Sequence, residues 1–325
     1  MDPLLIDMVE LFRSKHRGGL TLPRLADSLG ISRSRFGRGI EELRQLGYVF
    51  REMPQGEITL VSSPDRMIDT EIWSGLKTKT FARHLHCYRR IGSTNARAQE
   101  LAEAGAPEGT VVVAEEQTKG RGRLGRGWHS ASGLGIWSSI ILRPMLSLRQ
   151  ASGISLLAAL AFAESVEHEL GLVVGLKWPN DGLIGGMKVF GVLTEVSAEV
   201  DRVYYAVCGT GINVAHRRGD FPPSLRDTAG SLAMAKGGPV DRLAFYRTFL
   251  HRFETAYRGF RRNGIAPFMP GYRERSILLG REVVVKQGDR TINGIASEVD
   301  DSGALVVRVG RRRVTIHAGE ATLRM

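Results

Sequence analysis

A chain of 325 residues with 42% hydrophobic and 24% charged side chains has the composition of an ordinary globular protein long enough for two domains, or three if one is small; disordered, collagen-like and membrane-embedded classes are excluded. Its 45 Lys and Arg against 34 Asp and Glu leave a net charge of +11, which invites a polyanionic partner such as nucleic acid, nucleotide or anionic lipid. Two cysteines without paired spacing, Cys87 and Cys208, argue for a reducing compartment, the cytoplasm, and acidic Asp2, Asp7 and Glu10 at the N-terminus with an apolar run no longer than 154–163 point away from export and a membrane span.

The first sixty residues predict three short helices and a hairpin. Leu5, Met8, Val9 and Phe12 recur at helical spacing, and the His-Arg-Gly-Gly stretch at 16–19 supplies a stop. Thr21 opens a second helix over 22–29, Gly30 turns the chain, and Ser32 caps a third helix running to about Leu46. That third helix keeps Phe36, Ile40, Leu43 and Leu46 on one side and has no acid before Glu41. Such a helix packs by one face and offers Ser32, Arg33, Arg35 and Arg38 to phosphates and base edges with the other; the plainer alternative is a solvated face. With strands at 48–51 and 58–61 around Pro54-Gln55-Gly56, residues 1–64 read as a winged helix-turn-helix DNA-binding domain ending at the polar break Ser62-Ser63-Pro64-Asp65.

Beyond this break the periodicity changes. Strand-like stretches at 110–114, 135–142, 189–195 and 203–209 alternate with helical ones near 95–105, 148–170 and 241–262, giving an α+β domain with a mixed sheet over 65–275. Short strands at 283–285, 291–295, 304–307 and 314–316 then predict a small C-terminal β-barrel over 276–325.

The most informative stretch is Gly120-Arg121-Gly122-Arg123-Leu124-Gly125-Arg126-Gly127-Trp128. Its glycines fit G-x-G-x-x-G, but the helix and distant acid of a dinucleotide site do not follow. Lys119, Arg121, Arg123 and Arg126 instead place four cations in one flexible loop without an acid. Such a loop is either a basic surface turn or one neutralised by an anion, a phosphoryl group or carboxylate, with Trp128 closing over a flat ligand. Lys177-Trp178-Pro179-Asn180-Asp181 puts an ammonium, an aromatic and a carboxylate at a strand-to-turn corner, suited to a nucleotide phosphate and its magnesium. Lys188 enters a strand directly after Gly185-Gly186. Ser93-Thr94-Asn95 before an alanine-rich helix serves either as a cap or as polar ligand contacts. His84, His86 and Cys87 lack a second ligand cluster, and no G-x-S-x-G elbow occurs.

In this order, Ser93-Thr94-Asn95, Gln117 with the glycine-arginine loop and Trp128, Lys177 to Asp181, Lys188 and Gly209-Thr210-Gly211-Ile212-Asn213 resemble the motif set of biotin-protein ligases. With a winged helix ahead and a barrel behind, the resemblance extends to the bifunctional members, which also act as biotin operon repressors. It implies a biotin/lipoate-ligase-like catalytic domain and an SH3-like C-terminal barrel. It further implies that biotin's carboxylate attacks the α-phosphate of MgATP, pyrophosphate leaves, and biotinyl-5′-AMP passes biotin to a lysine of the biotin carboxyl carrier protein. By the same resemblance Ser93, Thr94, Asn95 and Gln117 hold biotin's polar end, while Arg121, Gly122 and Arg123 wrap the carboxylate and phosphate. Lys188 is the cation at the reacting centre and Trp128 packs on the adenylate. Lys177, Asn180, Asp181 and Asn213 serve ATP, with Asp181 toward Mg2+. The expected partners are the carrier protein, operator DNA and a second copy of the chain when adenylate is bound, with no membrane. Leu124 and His129 depart from the family pattern, where an arginine and an aromatic are common. Two alternatives stay open at this level: a biotin-sensing repressor with reduced catalysis, and a lipoate-type ligase. Residues 1–62 carry a net charge of +1, 63–275 of +8 and 276–325 of +2, so the basic excess points to a nucleoside triphosphate first and DNA second.

Overall fold

A computed structural model describes residues 2–14, 20–54, 56–199 and 202–324; the expected stop at 16–19 and the hairpin residue Gln55 lie outside them. The chain divides into two compact units, Met1–Lys77 and Thr78–Met325.

The first unit runs α1 (Pro3–Ser14), β1 (Leu20–Thr21), α2 (Leu22–Ser28), α3 (Arg33–Leu46), β2 (Val49–Glu52), β3 (Glu57–Ser62) and α4 (Asp69–Trp73), with an antiparallel sheet in the order β1-β3-β2. Apolar residues three and four apart face inward: Leu5, Met8 and Val9 of α1 meet Leu25 of α2 and Phe36, Ile40 and Leu43 of α3 in one buried cluster. The Ser32 hydroxyl accepts from the Arg35 N–H at 3.2 Å, and Gly47 at φ +102° ends α3. Gly39 lets α3 approach α1, since a Cβ there would lie 2.5 Å from Met8 Sδ. The unit extends past the expected break at 62–65 because α4 is tied back to α1. Arg13 Nη2 lies 2.7 Å from both carboxylate oxygens of buried Glu71, and its Nη1 donates to Ser74 Oγ at 2.7 Å.

The second unit opens with β4 (Leu85–Tyr88), α5 (Thr94–Glu103), β5 (Val111–Ala114), β6 (Gly135–Leu142), α6 (Leu148–Ala151) and α7 (Gly153–Leu170). It continues through β7 (Gly175–Lys177), β8 (Asp181–Ile184), β9 (Met187–Glu199), β10 (Arg202–Asn213), α8 (Leu232–Lys236), α9 (Arg242–Asn263) and α10 (Met269–Arg275). The seven strands form a mixed sheet in the order β4-β5-β6-β10-β9-β8-β7, in which only the β4–β5 pair is parallel. Neighbouring residues of a strand point to opposite faces, and β6 shows what covers each. Ser138 lies 2.5 Å from the Tyr246 hydroxyl of α9, while the next residue, Ser139, lies 2.6 Å from Asn95 Oδ1 of α5. On the α9 side Phe162 of α7 stacks on Phe190 of β9 at 4.2 Å between centroids. The single helix expected over 148–170 is two, with α7 starting at Gly153, whose lack of a Cβ accommodates the Phe260 ring. Strand β10 reaches Asn213, further than its apolar pattern predicts, because Gly209 and Gly211 interrupt that pattern without interrupting the ladder.

The last strands, β11 (Glu282–Gln287), β12 (Arg290–Val299), β13 (Leu305–Val309), β14 (Arg312–Ile316) and β15 (Glu320–Leu323), make an antiparallel sheet ordered β14-β13-β12-β11-β15 around Val283, Val285, Val299, Leu305 and Val307. The Trp178 indole N–H donates to the Gly303 carbonyl at 3.0 Å, joining this sheet to the β7–β8 corner. No described helix is long and apolar enough to cross a membrane.

Candidate active site

Over β9 and β10, beside the N-terminus of α5, the second unit holds a cavity of about 280 Å³. All thirteen residues expected to bind biotin or ATP line it, from Ser93 to Asn213, joined by Glu320 and Ala321 of β15. One side is a polar network. Ser93 caps α5 with its side chain, so its capping and cavity-lining positions coincide. Gln117 Oε1 accepts from the Thr94 backbone N–H at 2.8 Å and from its hydroxyl at 3.0 Å, while Gln117 Nε2 donates to Ser130 Oγ at 2.9 Å. Asn95 donates to the Leu193 carbonyl at 3.2 Å and to Glu195 Oε2 at 2.7 Å. A Cβ on Gly209 would collide with the Asn95 carboxamide, and Cβ atoms on Gly191 and Gly211 would strike the Trp128 ring at 2.7 and 2.5 Å. Glycine on the central strands is what gives these side chains room.

The other side is charged. Lys188 Nζ lies 2.7 Å from Asp181 Oδ1 and 5.1 Å from the centroid of Trp128. Arg123 donates to Asn180 Oδ1 at 3.1 Å and to the Gly319 carbonyl at 3.0 Å; burial lowers its guanidinium pKa, against the opposing pull of Asp181 and Glu320. Asn180 and Asn213 are oriented by donating to the carbonyls of Val192 at 2.7 Å and Gly230 at 3.0 Å. The sequence shows no acid near the loop cations, but the fold brings two: Glu195 pairs with Arg121 at 3.0 Å and Glu320 with Arg126 at 2.6 Å. Burial would raise the Glu320 carboxyl pKa, and Arg126, Lys177 and Arg123 together hold it below the usual range. Lys119 is exposed and outside the cavity lining.

Residues 87–213 match the Biotin/lipoate A/B protein ligase family, and residues 278–324 the Biotin protein ligase C terminal domain. The chain is 37% identical over 317 residues to the Bifunctional ligase/repressor BirA of Bacillus subtilis, covering 98% of both chains. The chain belongs to the biotin/lipoate protein ligase family. The ligase is also 36% identical over 244 residues to the Biotin--[acetyl-CoA-carboxylase] ligase of Mycobacterium tuberculosis, covering 73% of this chain and 88% of that one. A solved structure of the biotin protein ligase from Aquifex aeolicus in complex with biotin and ATP superposes with a TM-score of 0.65 at 31% identity, over 74% of this chain and 99% of that chain.

Several residues of the ligase site escape sequence reasoning. Glu195, Ser139 and Glu320 have no motif signal; only the pairing of distant strands brings Glu320 to the cavity and sets Glu195 and Ser139 behind its lining, against Asn95. Next to it, fully buried His216 stacks on Phe221 at 4.7 Å, and burial with His129 alongside lowers its pKa to about 4. In the first unit Ser32, Arg33 and Arg38 are exposed on and before α3, whereas Arg35 is half-buried in ion pairs with Asp2 and Glu42.

Proposed function

We propose that the ligase activates biotin with ATP and transfers it to a carrier lysine, and that its N-terminal unit represses transcription when the adenylate is bound. The observation that carries this reading is that the polar network at α5, the partly desolvated Arg123 and the Lys188–Asp181 ion pair face one cavity. In the first step a carboxylate oxygen of biotin attacks the α-phosphorus and pyrophosphate leaves; in the second the lysine ε-amine attacks the acyl carbon and AMP leaves. Negative charge grows on phosphoryl oxygens in the first step, so catalysis is positioning plus preorganised positive charge. Arg121, Gly122 and Arg123 enclose the carboxylate and α-phosphate, Lys188 stabilises the reacting centre, and Trp128 covers the adenylate on its glycine floor. Ser93, Thr94, Asn95 and Gln117 take biotin's polar end, while Lys177, Asn180 and Asn213 take the nucleotide.

Among the described residues no group of three His, Cys, Asp or Glu side chains is arranged to hold a metal ion. The donor set fits magnesium that arrives with the nucleotide, held by phosphates and water with Asp181 as a protein carboxylate; bound there, it would neutralise phosphate charge. We read the first unit as a winged helix-turn-helix, with Arg33 and Arg38 the exposed cations of its recognition helix, and the C-terminal sheet as an SH3-like barrel. Single recognition modules bind DNA weakly, which favours an adenylate-bound dimer on a two-half-site operator. The carrier is the biotin carboxyl carrier protein and the compartment the cytoplasm. Incubation with biotin, MgATP and a purified carrier domain tests the catalytic half: a mass increase on one carrier lysine is expected, and no transfer would refute it.

A further inference from the structure

One carboxylate links the two halves of the site without lining the cavity. Gly191, Leu193 and Glu195 alternate onto the same face of β9. Glu195 Oε2 accepts from Asn95 Nδ2 at 2.7 Å and from Arg121 Nη2 at 3.0 Å. The remaining groups of Asn95 are committed too, its Nδ2 to the Leu193 carbonyl at 3.2 Å and its Oδ1 to Ser139 Oγ at 2.6 Å. Glu195 therefore selects one orientation of a carboxamide at the head of α5 and anchors the first arginine of the glycine-arginine loop. On the proposed reading these elements take opposite ends of biotin, the polar end at α5 and the carboxylate at the loop.

We infer that Glu195 is a positioning residue that couples the biotin-side network to the loop enclosing the carboxylate and α-phosphate. The inference rests on the ligase reading above. Removing the carboxylate releases both partners at once, so biotin, held by the α5 network and by Arg121, loses more affinity than ATP, whose remaining groups at Arg123, Lys177, Asn180 and Asn213 keep their geometry. A residue that merely stabilised the sheet would weaken biotin and ATP alike.

The test is biotin-dependent ATP–pyrophosphate exchange on the full chain, with KM for biotin and for ATP measured separately for the wild type, Glu195→Gln and Glu195→Ala, alone and combined with Arg121→Ala. Thermal unfolding is followed in parallel. Glu195→Ala should raise the biotin KM about tenfold and leave the ATP KM within about twofold. Glu195→Gln, which keeps an acceptor for Asn95, should recover part of the loss. Once Arg121 is gone, Glu195→Gln should add little, the signature of a shared interaction. An unchanged biotin KM, or equal rises in both KM values together with a lowered Tm, overturns the inference. If the wild type shows no biotin-dependent exchange, the ligase reading fails, and tryptic cleavage of the unliganded protein decides the coupling. Glu195→Ala should speed cleavage within 121–126 severalfold, and an unchanged rate there overturns the role of Glu195.

Discussion

At the scale of the residue, Arg123 is a cation held in place from two sides. Its guanidinium is fixed by Asn180 and the Gly319 carbonyl and partly desolvated; charge in such a place acts on a phosphoryl oxygen with little screening. Arg123→Ala should lower pyrophosphate exchange about 10²–10³-fold, as removal of a preorganised transition-state donor does, and Lys188→Met should act in the same direction. Gly209→Ala tests the space given to Asn95; displacing that carboxamide should cost about 1–3 kcal/mol of stability in urea unfolding and raise the biotin KM. His216 gives a pH dependence. Its folded pKa of about 4 lies below the unfolded value near 6.5. The unfolded chain therefore binds the extra proton between those values, and stability is lost as pH falls through that window. The loss should approach about 3 kcal/mol near pH 4. Unfolding of His216→Phe, which retains an aromatic ring against Phe221, should show a flatter profile between pH 6.5 and 4.

At the scale of the element, what the sequence reveals depends on where the chemistry is encoded. The glycine-arginine loop, the Lys177–Asp181 corner and the cap of α5 are legible because each needs particular residue types at short spacing. Their meeting in one cavity depends on β9 and β10 crossing between them, and on β15 arriving from the end of the chain, which no local spacing expresses. The charge of the loop misleads when read alone: it has no acid in sequence, yet Glu195 and Glu320 already neutralise part of it. In α3 the arginine run is legible, but its uniformity is not real, since Arg35 is held by Asp2 and Glu42 while Arg33 and Arg38 face solvent. Arg33→Ala with Arg38→Ala should therefore weaken operator binding and reduce its salt slope, by about 0.9 for each phosphate that is no longer neutralised. Arg35→Ala should act more through stability than through the slope. Gel shifts across a salt series separate these outcomes, and biotin transfer by the double variant should be retained.

At the scale of the whole molecule, the net charge of +11 is unevenly placed, with +8 in residues 63–275 and only +1 in residues 1–62. On the proposed reading of the first unit as a winged helix-turn-helix, a unit so nearly neutral would draw little DNA affinity from its own field, so DNA binding should depend strongly on pairing two copies, and hence on the adenylate. The family resemblance on five ordered motifs is met by similarity along the full length of a bifunctional relative, while the C-terminal sheet joins the site through Glu320 and the Gly319 carbonyl. The central claim is that this cavity makes an acyl-adenylate from biotin. ATP–pyrophosphate exchange with biotin and, separately, lipoate tests it most directly. Exchange should require biotin, gain no support from lipoate, and fall at least about a hundredfold in Arg123→Ala; exchange driven equally by lipoate, or unchanged in Arg123→Ala, would refute acyl-adenylate formation from biotin in this cavity.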